Sequence, residues 1–99
     1  MRRAKFVIDL GGVRTLRTLH RRIAAVLPVP DGYGRNFDAL YDFLTEWGQT
    51  LTIVFANVSV GRRTLRRVCA DAVAETPGLE IRFVSTRRPR EPAGRVAGV

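Results

Sequence analysis

Pro30-Asp31-Gly32-Tyr33-Gly34-Arg35-Asn36-Phe37-Asp38-Ala39-Leu40-Tyr41-Asp42-Phe43-Leu44-Thr45-Glu46-Trp47 decides how this 99-residue chain is read. The stretch holds four carboxylates (Asp31, Asp38, Asp42, Glu46) against one guanidinium (Arg35), a local charge of −3 on a chain whose net charge is +8. Pro30, Gly32 and Gly34 are turn formers. Asn36 suits a helix N-cap, because its side-chain oxygen can accept from an orphan amide of the first turn. A helix is then predicted over residues 37–47. At about 100° per residue, Phe37, Leu40, Phe43, Leu44 and Trp47 share one face, an apolar stripe for a core. The opposite face presents Asp38, Tyr41, Asp42 and Thr45, with Asp38 and Asp42 side by side at i, i+4. Like charges at that spacing mildly destabilise an isolated helix. The helix dipole offsets about 0.3–1 kcal/mol per charge near the N-terminus. Paired acid–base catalysis needs a cleft that drives two pKa values apart, which an open helix surface does not offer. The face therefore reads as a binding surface for a cationic partner, or more simply as a solvated face with acids at the helix start.

Working outward, residues 5–10 predict a strand of nearly continuous apolarity, as a buried parallel strand requires. Gly11-Gly12 makes a turn, and a helix is expected over about residues 15–26 with Leu16, Leu19, Ile23, Val26 and Leu27 inward. Pro28 and Pro30 stop it. After the acidic helix come a strand at 51–56, a loop at 57–61, a helix at 62–75 and a strand at 79–85. The helix at 62–75 is expected to bury Leu65, Val68, Cys69, Ala72 and Val73. The order β-α-α-β-α-β implies an α/β fold, a small three-stranded parallel sheet flanked by helices, with right-handed crossovers. Residues 1–86 form the expected single domain, and residues 87–99, rich in Arg, Pro and small residues, a disordered basic tail.

Composition narrows the function classes. A chain of this length with 45% hydrophobic residues can build its own core. One cysteine makes no internal bridge, and Cys69 reads as a buried apolar thiol. His20 borders an apolar stripe and reads as a packing or capping residue. No Gly-rich phosphate loop follows a strand, no metal-ligand cluster is present, and no nucleophile has a base beside it. The reading is thus of a protein with no catalytic residue, metal or cofactor. The charged N-terminus is followed by an apolar run too short for a signal peptide, and nothing approaches a membrane span. A cytoplasmic protein, monomeric when free, is expected. The cations are sixteen Arg and one Lys. Two helices carry clusters, Arg14, Arg17, Arg21 and Arg22, then Arg62, Arg63, Arg66 and Arg67. Each cluster occupies the face left by an apolar stripe. A solvated surface explains them, and so does phosphate contact with nucleic acid.

The run from Tyr33 to Leu44 resembles the signature of the barstar family, intracellular inhibitors of secreted bacterial ribonucleases. The family pattern is Tyr-Gly-x-Asn-aliphatic-Asp-Ala-Leu-aromatic-Asp-x-Leu, with Pro before and Trp after, here Pro30 and Trp47. Val7-Ile8, Gly11-Gly12 and the Leu19-His20 pair are similar to the family's first strand and helix. The likeness covers roughly residues 4–86. It implies an antitoxin or immunity protein of bacterial type that blocks a ribonuclease, or a related toxin, through the acidic helix. It makes Asp42 the mimic of substrate phosphate, Asp38 its supporting acid, Tyr41 the aromatic contact and Asp71 a third acid from the last helix. Tyr33, Gly34, Asn36, Thr45, Glu46 and Trp47 complete the implied partner-binding set. Gly32 stands where the family usually places an interface aromatic, Glu46 replaces a Gly, and the segment between Phe55 and Leu65 is shorter, so a short helix is expected to be missing. Net basicity weakens long-range attraction to a basic ribonuclease. Two rival readings stay open: a nucleic-acid-binding module using the Arg faces, and the same fold turned to another partner.

Overall fold

A computed structural model describes residues 3–86; the predicted tail at 87–99 lies outside the described residues. The elements are β1 (Ala4–Asp9), α1 (Leu16–Val26), α2 (Phe37–Trp47), a 3₁₀ turn (Gly48–Thr50), β2 (Leu51–Ala56), α3 (Arg62–Glu75) and β3 (Glu80–Val84). The strands form one parallel sheet in the order β1-β2-β3. All six residues of the central strand β2 are buried, Thr52 included, whereas β1, expected to be a buried strand, lies at an edge with every residue but Phe6 and Ile8 exposed.

The core lies between one face of the sheet and the helices. Ile8 of β1 and Ile53 and Phe55 of β2 pack there with Leu19 and Ile23 of α1, Leu40 and Leu44 of α2, and Leu65, Cys69 and Ala72 of α3. Phe55 stacks on Phe83 of β3, their ring centroids 5.4 Å apart. The reverse face is open at the outer strands, where Val7 and Val84 are exposed.

Local chemistry sets the helix starts. The Thr15 hydroxyl accepts from the Thr18 amide (3.1 Å), and the Asn36 side chain accepts from the Ala39 amide (2.7 Å). The first residue of α3 follows Gly61, whose φ of 67° is in the left-handed region. A Cβ there would stand 2.6 Å from the Leu16 side chain, so α1 and α3 approach this closely only over a glycine. At the carboxyl end of the sheet, the Asn57 amide donates to the Asp9 carboxylate (3.0 Å) and the Thr86 hydroxyl (2.9 Å), tying all three strand ends together.

Several expectations are corrected. Thr15 caps α1 and is not inside it. β1 lies one residue earlier than predicted and β3 is a residue shorter at each end. Three positions of the expected apolar stripes are exposed: Leu16 (46%), Trp47 (59%) and Val73 (39%). Trp47 sits at the end of α2, where the chain turns into the 3₁₀ segment and the buried Gly48 packs on Leu79 in its place.

Candidate partner-binding face

α2 turns Leu40, Phe43 and Leu44 into the core. That orientation leaves Asp38, Asp42 and Glu46 exposed and Tyr41 half-buried. α3 packs alongside and carries Asp71 and Glu75. Asp38 and Tyr41 of α2 meet Val68, Asp71 and Glu75 of α3 around a shallow depression of about 380 Å³. Asp42, Thr45 and Glu46 line a second depression of about 270 Å³. Side by side along the helix, Asp38 and Asp42 thus border two neighbouring hollows.

Five carboxylates, from Asp38, Asp42, Glu46, Asp71 and Glu75, belong to this surface. None makes an ion pair with a described residue, although Arg and Lys total seventeen in the chain. Among the described residues the ion pair is Arg82 with Glu80 on β3 (3.4 Å). Partial burial raises the Tyr41 phenol above its ordinary value of 10.0, and the Glu75 carboxylate, by charge and by hydrogen bonding, and the charges of Asp71 and Asp42 push it further. Tyr41 therefore stays neutral and can donate from its hydroxyl between carboxylates.

The other proposed contact residues divide by what they do. Asn36 caps α2. Gly34 lies so close to the cap that a Cβ would meet the Asn36 amide nitrogen at 3.2 Å and the Ala39 methyl at 3.4 Å. Tyr33 packs against the core, its hydroxyl buried without a partner, and burial pushes its phenol up to about 12. The Thr45 hydroxyl donates back to the Tyr41 carbonyl (3.0 Å). Trp47 leaves most of its indole exposed at the far end of the helix. Gly32 is the third residue of a turn closed by the Tyr33 amide on the Pro30 carbonyl (3.1 Å), with φ 83°. That conformation suits glycine and strains any aromatic. Glu75 was not singled out from the sequence. Its signal is the i, i+4 spacing to Asp71, the pattern that marked Asp38 and Asp42.

Burial pushes the Cys69 thiol up to about 12, well away from nucleophilic use. His20 is buried edge-on against Phe37, centroids 4.4 Å apart, with Nδ1 unpartnered. Among the described residues no group of three potential ligands could hold a metal, and no helix is long and apolar enough to cross a membrane.

The structure is thus a small parallel α/β domain that presents carboxylates from two adjacent helices on one face. The chain belongs to the family described as Barstar (barnase inhibitor), whose sequence pattern matches residues 3–84. It is also 43% identical over 54 residues to the Bacillus subtilis (strain 168) protein named "Putative ribonuclease inhibitor YrdF". That match covers 54% of this chain and 59% of the relative.

Proposed function

We propose that this protein binds a ribonuclease, or a related toxin, and blocks its active site with the acidic face of α2 and α3. The observation that carries the reading is the group of five carboxylates, gathered from two helices on a protein of charge +8, that make no ion pair among the described residues. Carboxylates that make no ion pair with a described residue remain available to the arginines and lysines that bind RNA phosphate in a nuclease. On this reading Asp42 takes the place of a substrate phosphate. Asp38 and Asp71 support it across the helix boundary, and Tyr41 supplies the aromatic contact. Tyr33, Gly34 and Asn36 hold the entry to the helix, while Thr45, Glu46 and Trp47 extend the contact along it. The protein catalyses nothing itself and acts in the bacterial cytoplasm as an immunity or antitoxin protein. Family membership and the named relative support this reading.

The test is capture and inhibition. Immobilised protein, exposed to lysate and to secreted nucleases of the source organism, should retain a ribonuclease whose activity it suppresses. Retention of RNA alone would overturn the reading.

One observation favours a second reading. Arg62 and Arg66 line a depression of about 250 Å³ with Asn57 and Ser85 at the carboxyl end of the sheet. A nucleic-acid-binding module would use such a site for phosphate. Its affinity would then fall steeply with salt, and the slope would flatten when the α3 arginines are replaced.

A further inference from the structure

β3 is an outer strand of the sheet, and among the described residues one of its edges is unpaired. The Val84 carbonyl accepts from the Asn57 amide (2.9 Å), so residues 80, 82 and 84 turn their backbone groups toward β2. By alternation, the N–H and C=O groups of Ile81 and Phe83 point outward along the free edge. On the helix side the cover is incomplete as well. Ile8 and Leu10 are wholly buried at the opposite margin of the sheet, whereas Ile81 and Phe83 are only half-buried. They open, with Ala70, Val73 and Ala74 of α3, onto a groove of about 410 Å³. On the reverse side of the strand, Glu80 and Arg82 are both exposed.

We propose that β3 pairs antiparallel with β3 of a second copy of this chain, about a two-fold axis through Ile81, giving a continuous six-stranded sheet. In that register Ile81 and the partner's Ile81 exchange two backbone hydrogen bonds. Glu80 and Arg82 fall at non-hydrogen-bonded positions, where facing side chains are closest. Glu80 then meets the partner's Arg82, and Arg82 the partner's Glu80, a closed ring of alternating charge. The two neighbouring registers set Arg82 against the partner's Arg82, or Glu80 against the partner's Glu80, and so oppose like charges. The axis stands perpendicular to the sheet, so both α3 helices lie on one side, and the groove beside Val73 is filled by the partner's Val73. Such a pairing is isologous and closes on itself. The second copy is thus the occupant that the charge order of the strand selects, in place of the free monomer expected from sequence. The acidic face lies on the α2 side of α3, away from β3, so each copy keeps its own.

Light scattering and analytical ultracentrifugation on the full chain across the micromolar range test this. A concentration-dependent dimer is expected. Arg82→Glu turns both cross-strand attractions into repulsions and should weaken it by about an order of magnitude or more. The double exchange Glu80→Arg with Arg82→Glu restores opposite charges across the axis and should restore the dimer. Arg82 is 65% and Glu80 48% exposed, and neither belongs to the hydrophobic core, so circular dichroism should show folded protein throughout. A protein monomeric at every concentration overturns the proposal. So does a dimer untouched by Arg82→Glu, or a folded double exchange that stays monomeric.

Discussion

At the scale of single residues, exposure separates the side chains proposed to bind from those that hold the fold. Asp42 is exposed, while its helix neighbours Phe43 and Leu44 are buried. Asp42→Ala should therefore leave the melting temperature unchanged and weaken ribonuclease binding by about 2 kcal/mol or more, the range of an interface hot spot. Calorimetric titration returning the wild-type affinity would remove Asp42 from the site. His20 gives a prediction in pH. Burial holds its folded pKa below the ordinary 6.5 that the unfolded chain retains. Below pH ~6.5 the unfolded chain then binds the proton more readily, so stability falls as pH drops through the window between the two values. Above it the stability is fully present. Thermal melts between pH 7.5 and pH 5.5 should show this loss, and a folded His20→Gln protein should show a flatter profile over the same range.

At the scale of elements, α2 joins core and site. Leu40 and Leu44 are fully buried on the side of the helix away from Asp42. Leu40→Ala should cost about 2–5 kcal/mol through lost burial and a residual cavity. For a domain of this size that lowers the melting temperature by roughly 4–8 °C per kcal/mol, and the proposed inhibition is then lost with the fold. A mutant that melts within a degree or two of wild type would mean the helix faces the other way. The periodicity of α2 was legible because its carboxylates and its leucines separate cleanly around the axis, and Asn36 marked its start. The three exposed apolar residues were not legible. Leu16 and Trp47 stand at helix ends, and Val73 stands where α3 overhangs the edge strand. A periodic pattern extends a stripe to the last residue, but burial ends where the neighbouring element ends.

At the scale of the whole molecule, charge is divided between surfaces. Replacing Arg62, Arg63, Arg66 and Arg67 by Gln would lower the net charge from +8 to +4 without touching the acidic face. Association with a basic ribonuclease should be unchanged or faster, since repulsion is reduced. A small loss of stability is expected, because the Arg66 guanidinium stacks over the Phe83 ring at 4.6 Å. Stopped-flow association and a melt decide it: loss of the protein partner with an intact fold would move the interface onto the arginines. The sequence by itself determined the element order, the inward side of α2 and the family, because each rests on local periodicity, caps or a contiguous motif; the central place of β2 was set by the tertiary structure. The tertiary structure alone decided that Glu75 joins Asp71, Asp38 and Tyr41 around one hollow, that Trp47 stays outside the core, and that the edge of β3 is uncovered among the described residues. Those depend on how closely helices approach one another, as α1 and α3 do over Gly61, and on where the sheet stops. Both are set by packing between residues distant in the chain, which no local pattern records.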